Sequence, residues 1–147
     1  MAKDKYHELV KQALIDEGWT ITDDPLPINI AETTIEIDLA AEKLLLAKKG
    51  KEEIAIEIKS FLGINTLHEF YKALGQFRFY QLALRQQMPE KHLYLAIPLQ
   101  AYKDFFARTF VQELLRENNV SIIVYNVIQK NIEQWIKDSN TGNTSNG

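Results

Sequence analysis

Apolar and polar positions recur along this chain with two different periods, and the switches between them mark its elements. Across residues 4–17, Leu9, Val10, Ala13 and Leu14 fall at i, i+1, i+4 and i+5. That is the spacing of one apolar helix face, and Gly18 stands where such a helix would end. Trp19 to Thr22 read as a short strand. The stretch DDPLPINIAE reads as a loop, because two prolines in three residues remove backbone donors. The run TTIEIDLAAEKLLLAKKGKEEIAIEIKSF predicts two or three strands, with a tight turn at Gly50 closing a hairpin.

Helical spacing returns at NTLHEF. Thr66 followed three residues later by Glu69 matches a capping box, with Asn65 as a rival cap, and Met88-Pro89 stops the helix near Gln87. HLYLAIPL is an apolar run of the kind buried on both faces of a sheet. Tyr102 to Asn118 is predicted helical with a break near Thr109. VSIIVYNV is a second buried strand, and NIEQWIK adds an edge strand or a last helical turn. The order α-β-β-β-α-β-α-β predicts an α/β (α+β) fold, a mixed β-sheet with helices on both faces. Residues 1–137 form a single domain, and 138–147, rich in Asn, Ser and Gly, form a disordered polar tail.

Composition narrows the function classes. The chain has 147 residues, 46% hydrophobic and 25% charged, with no cysteine, so thiolate metal sites and disulfides are excluded. No signal peptide and no membrane-spanning run is legible, which predicts a cytoplasmic protein without membrane contact. The net charge of −3 speaks against avid, non-specific nucleic-acid binding, but it suits a site that gathers carboxylates around a divalent cation.

The strand IAIEIK carries the chemistry of interest. Ile54, Ile56 and Ile58 share one face, and Ala55, Glu57 and Lys59 the other, so Glu57 and Lys59 point the same way. If TIEID lies beside it, Asp38 and Glu57 converge on one cation. Oxygen ligands of this kind suit Mg2+ or Mn2+, and Lys59 would orient a nucleophile and offset charge developing on phosphate. Glu8, Glu36 and Glu42 are the candidates for an auxiliary ligand. Each residue also has a plainer reading: a cross-strand ion pair on a solvated face for Glu57 and Lys59, a turn acceptor for Asp38, a surface residue for Glu8. His7, His68 and His92 lack metal-ligand spacing and are not read as ligands. The lysines of AKKGKEE sit at a hairpin tip, where charge normally serves solvation.

Asp38, eighteen intervening residues, then Glu57-Ile58-Lys59 resembles the PD-(D/E)xK nuclease superfamily, although Ile37 replaces the usual proline. The element order resembles that superfamily's restriction-endonuclease-like core. Gln76 and Tyr80, four residues apart on one helix face, resemble the QxxxY motif of RecB-like and Cas4-like members, where the pair holds the catalytic lysine or the DNA backbone. A first-helix glutamate, here Glu8, often joins the metal site in that superfamily. Over nearly all of 1–137 the chain is similar to the XisH-like family of fdxN element excision controlling factors. The stretches AIEIKSFLG, ALGQFRFYQLAL and LYLAIPL carry that resemblance.

The resemblance implies a role in programmed DNA excision in heterocyst-forming cyanobacteria, beside an XisI-like protein and a site-specific recombinase. It implies Mg2+- or Mn2+-dependent cleavage of DNA, with Glu8, Asp38 and Glu57 on the metal, Lys59 at the reacting phosphate, and Gln76 and Tyr80 in support. The competing expectation is a non-catalytic binding module that acts through those partners. A domain of this size has little surface for reading sequence, so a homodimer or hetero-assembly would help it span DNA.

Overall fold

The computed structural model describes residues 5–26 and 44–138. Within them the order is α1 (His7–Asp16), β1 (Thr20–Leu26), β2 (Leu44–Lys49), β3 (Glu52–Ile58), α2 (Thr66–Gln87), β4 (His92–Pro98), α3 (Leu99–Ala101), a π-turn (Tyr102–Phe106), α4 (Thr109–Glu117), β5 (Ser121–Asn126) and β6 (Asn131–Ile136). The six strands form one sheet in sequence order. β3, β4 and β5 are parallel, and β1–β2, β2–β3 and β5–β6 pair antiparallel. The fold is therefore α+β with a mixed sheet, as the element order predicts.

Alternation along the strands divides the core in two. One face presents Leu45, Ile54, Ile56, Ala96 and Ile123 to Val10, Ala13 and Leu14 of α1. The other presents Leu46, Ala55, Leu95, Ile97 and Val124 to Phe70, Phe77, Tyr80 and Leu84 of α2 and to Val111 and Leu115 of α4. β4 and β5, covered on both faces, are buried almost throughout, which explains their unbroken apolar sequence. The β2–β3 hairpin turns through Gly50 at φ 62, the left-handed value that a two-residue hairpin turn needs at its first position.

Several local expectations change. β1 runs on through Asp23–Leu26 instead of ending at Thr22, and Pro25 is tolerated because β1 is the sheet's edge strand. The cap of α2 is Asn65, whose side chain accepts from the His68 N–H at 2.9 Å; Glu69 turns back to the loop instead and accepts from the Gly63 N–H at 3.0 Å. The region from Tyr102 begins as a π-turn, and the helix resumes at Thr109 after the expected break. NIEQWI is an edge strand. Asp138, which composition assigns to the tail, is 6% exposed, and its N–H donates to Ser121 Oγ at 3.0 Å. Among the described residues no helix is long and apolar enough to cross a membrane.

Candidate functional site

The C-terminal end of β3 carries a carboxylate where the pattern calls for an apolar side chain. Glu57 has the parity of Ala55, so it points toward α2, and it is 1% exposed. Lys59, the first residue beyond the strand, reaches back on the same side and places Nζ 3.7 Å from Glu57 Oε2. The pair sits at ion-pair distance without a direct hydrogen bond. Burial of a carboxylate costs several kcal/mol, and an ammonium at this distance returns about 4 kcal/mol at an effective dielectric near 20. A solvated surface pair, the plainer sequence reading, does not describe a group this deeply buried.

Lys59 is held by its backbone from two strands. Its N–H donates to the Ala96 carbonyl of β4 at 3.0 Å, and its carbonyl accepts from Tyr125 Oη of β5 at 2.8 Å. Tyr125 is fully buried, with Tyr6 edge-on to its ring at 5.9 Å. The root of the side chain is thus anchored from both strands. The pinning of Lys59 by Tyr125 was not legible in the sequence, because nothing local to VSIIVYNV marks a contact 66 residues back in the chain.

α2 supplies the facing wall. Tyr80 is 1% exposed and lies in the core cluster on the Glu57 side of the sheet. Gln76, one turn earlier, has a buried Oε1 without a hydrogen-bond partner among the described residues. Continuing the stripe toward the start of α2 brings in Ala73, Lys72 and Glu69. A cleft of about 160 Å³ is lined by Lys59, Ser60, Phe61, Glu69, Lys72 and Ala73. Sequence reading missed Lys72 and Glu69 as site residues, although their spacing from Gln76 is helical. The Glu69 carboxylate lies so close to Gly63 that a β-carbon added there would collide with it.

The remaining predicted residues are distributed as follows. Asp38, together with Glu36 and Glu42, lies outside the described residues. Glu8 is exposed on α1, which packs on the sheet face opposite Glu57. There its carboxylate, His7 and Asp24 bring ligating atoms within 4.8 Å of one another. His7, which reads as isolated in the sequence, belongs to this group because β1 continues to Asp24. Both oxygens of Asp24 are engaged: Oδ1 lies 2.7 Å from His7 Nε2, and Oδ2 accepts from Lys11 Nζ at 2.7 Å. Burial pushes the Asp24 carboxyl up, but the hydrogen bonds from Lys11 and His7 outweigh it and hold the pKa below the ordinary value. The same hydrogen bond raises that of Lys11. With both oxygens committed, Asp24 reads as a fastener between α1 and β1.

Two further titratable groups serve the scaffold. Lys49, at the hairpin tip, donates to the Glu17 carbonyl at 2.7 Å and lies over the Trp19 ring. His92 sits 2.8 Å from Ser121 Oγ, and burial lowers its pKa.

The XisH protein family model matches residues 1–133. A crystal structure of an XisH family protein from Nostoc punctiforme is 43% identical, with a TM-score of 0.80, over 91% of this chain and 100% of that one. A crystal structure of an fdxN element excision controlling factor protein from Anabaena variabilis is 44% identical, with a TM-score of 0.79, over 90% of this chain and 98% of that one. No curated protein matches. A family model spanning nine-tenths of the sequence, and two folds of the same shape at this level of identity, lead to one conclusion: the chain belongs to the XisH family.

Proposed function

We propose that this chain carries a PD-(D/E)xK nuclease-like site on a restriction-endonuclease-like core, and that it hydrolyses DNA phosphodiester bonds in the control of programmed DNA excision. The observation that supports this most is the buried Glu57 carboxylate with the Lys59 amine 3.7 Å away, at the end of a central strand and facing the Gln76–Tyr80 stripe. Burial of a carboxylate beside an ammonium at the end of a central strand is costly, and such perturbed charge pairs cluster at functional sites. The excision role comes from the name of the Anabaena variabilis relative.

The donor chemistry fits Mg2+ or Mn2+. The chain has no thiolate, and hard cations of this size take one or two carboxylates and keep several waters. Glu57 and Asp38 would hold the ion, and Glu8, the auxiliary ligand expected from the resemblance, is not part of this set because α1 packs on the opposite face of the sheet. When bound, the ion supplies a more acidic water and a counter-charge for the phosphate. Lys59 orients the attacking water and offsets charge developing on the phosphate oxygens. Gln76 and Tyr80 fix the wall against which Lys59 works. An XisI-like protein and a site-specific recombinase are the partners this role calls for, and a homodimer would extend the contact surface.

The net charge of −3 favours a second reading, in which the fold is a binding module and a partner supplies affinity for DNA. Incubation with Mg2+ or Mn2+ and single-stranded, duplex or branched DNA separates the two. On the nuclease reading the wild-type protein nicks or cuts, and Lys59→Ala slows cleavage by about 100-fold or more while remaining folded at the assay temperature. Absence of cleavage on every substrate removes the nuclease reading and leaves the binding module.

A further inference from the structure

After Lys59 the chain turns abruptly. Phe61 adopts φ 51, a left-handed conformation that is costly for a bulky side chain, and its ring meets Phe106 edge-on at 5.1 Å. Ser60 and Phe61 thereby form a shared wall between two clefts. One is the Lys59–Lys72 cleft already described. The other, about 260 Å³, opens beyond the C-terminal ends of β3 and β4, where open α/β sheets place their ligands. Phe61, Pro98, Ala101 and Phe105 give it apolar walls; its polar members include Arg108 and the Gln100 amide, which donates to the Asp104 carboxylate at 2.8 Å. The Arg108 guanidinium lies 5.4 Å from the Phe105 ring centre, and its Nε donates to the Asp104 carbonyl at 3.1 Å, so a flat cation is already oriented there.

We propose that this second cleft receives one unpaired nucleobase of a DNA strand whose adjoining phosphate lies between Lys59 and Lys72, so that the substrate is single-stranded or frayed DNA. The inference deepens the nuclease reading and rests on it. Three features carry it. The cleft falls just below the size range of pockets for drug-sized molecules, so it suits a single ring system and excludes a base pair. Its walls are aromatic and apolar, beside a planar cation on which a base can stack. Three cations, Lys59, Lys72 and Arg108, line the two adjoining clefts against two carboxylates, Glu69 and Asp104, so the clefts are locally cationic in a chain that is acidic overall, an arrangement that attracts a phosphate backbone. A base inside a continuous duplex cannot enter without leaving its stack.

Fluorescence anisotropy of a labelled 12-nucleotide DNA tests this, as a single strand and as a blunt duplex, in Ca2+ at fixed salt. The single strand is expected to bind at least about tenfold tighter than the duplex, as loss of one stacked base implies. Ala101→Trp, which fills the cleft, and Arg108→Ala, which removes the exposed cation, are each expected to erase that preference without moving the thermal midpoint. Equal affinity for the two forms, or single-strand binding untouched by both variants, overturns the inference. The readout needs no turnover. Selective binding without any cleavage therefore refutes only the nuclease reading, and cleavage of intact duplex with equal binding refutes only the base cleft.

Discussion

Replacing Glu57 with glutamine keeps the shape of the side chain and removes its charge, which separates a functional carboxylate from a structural one. The carboxylate is 1% exposed and its Lys59 partner stands at 3.7 Å, too far for a direct hydrogen bond. Desolvation costs several kcal/mol, and the attraction of about 4 kcal/mol is weakened because the Lys59 side chain is 21% exposed and partly screened. A neutral isostere avoids the desolvation, while Lys59 can turn toward water. Glu57→Gln is therefore expected to stabilise the fold by about 1–2 kcal/mol, which raises the thermal midpoint by about 3–6 °C for a chain of this size. In the same melts, Mn2+ at about one hundred times its dissociation constant should stabilise the wild type by about 2.7 kcal/mol and leave the variant unmoved. A Glu57→Gln protein that melts lower than the wild type by more than about 1 kcal/mol would refute the reasoning. The carboxylate would then be a paired structural group.

Asn65→Ala removes the side chain that caps α2 and should cost about 1 kcal/mol, lowering the midpoint by about 3 °C, whereas Thr66→Ala should cost much less; denaturant melts of the two variants read the difference. His92 has a pKa held below 6.5, first by burial and then by Lys137, with Asp138 and Glu52 pulling the other way. A base with a depressed folded pKa takes up its proton more readily when unfolded. Its contribution is therefore complete above about pH 6.5 and lost as pH falls from there toward the folded value. The thermal midpoint should fall between about pH 7 and 5.5, and His92→Asn should flatten that slope.

What the sequence revealed depended on how local each signal was. Both ends of α2 were legible because the Asn65–Thr66 start and the Met88-Pro89 stop act within a turn of the residues they bound. β4 and β5 were legible because burial on both faces leaves an unbroken apolar run. β1 was cut short in the reading, since Pro25 looks like a breaker until the strand is known to lie at the sheet edge. The common side of Glu57 and Lys59 followed from period two alone. Their surroundings did not. The Tyr125 hydroxyl on the Lys59 carbonyl, the Gly63–Glu69 contact and the α1–β1 fastener at Asp24 join distant or turn-bound residues that leave no periodic trace. Glu8 shows the same limit, because helical spacing gave its side of α1 but not the side of the sheet on which α1 packs.

Anomalous scattering from crystals soaked in Mn2+ tests the central claim most directly. A single strong peak is expected at about 2.0–2.3 Å from a Glu57 carboxylate oxygen, with Asp38 as a second ligand and Lys59 Nζ nearby but uncoordinated. No peak at Glu57, or a peak only among His7, Glu8 and Asp24 on the opposite face, would contradict a cation-dependent site at the end of β3.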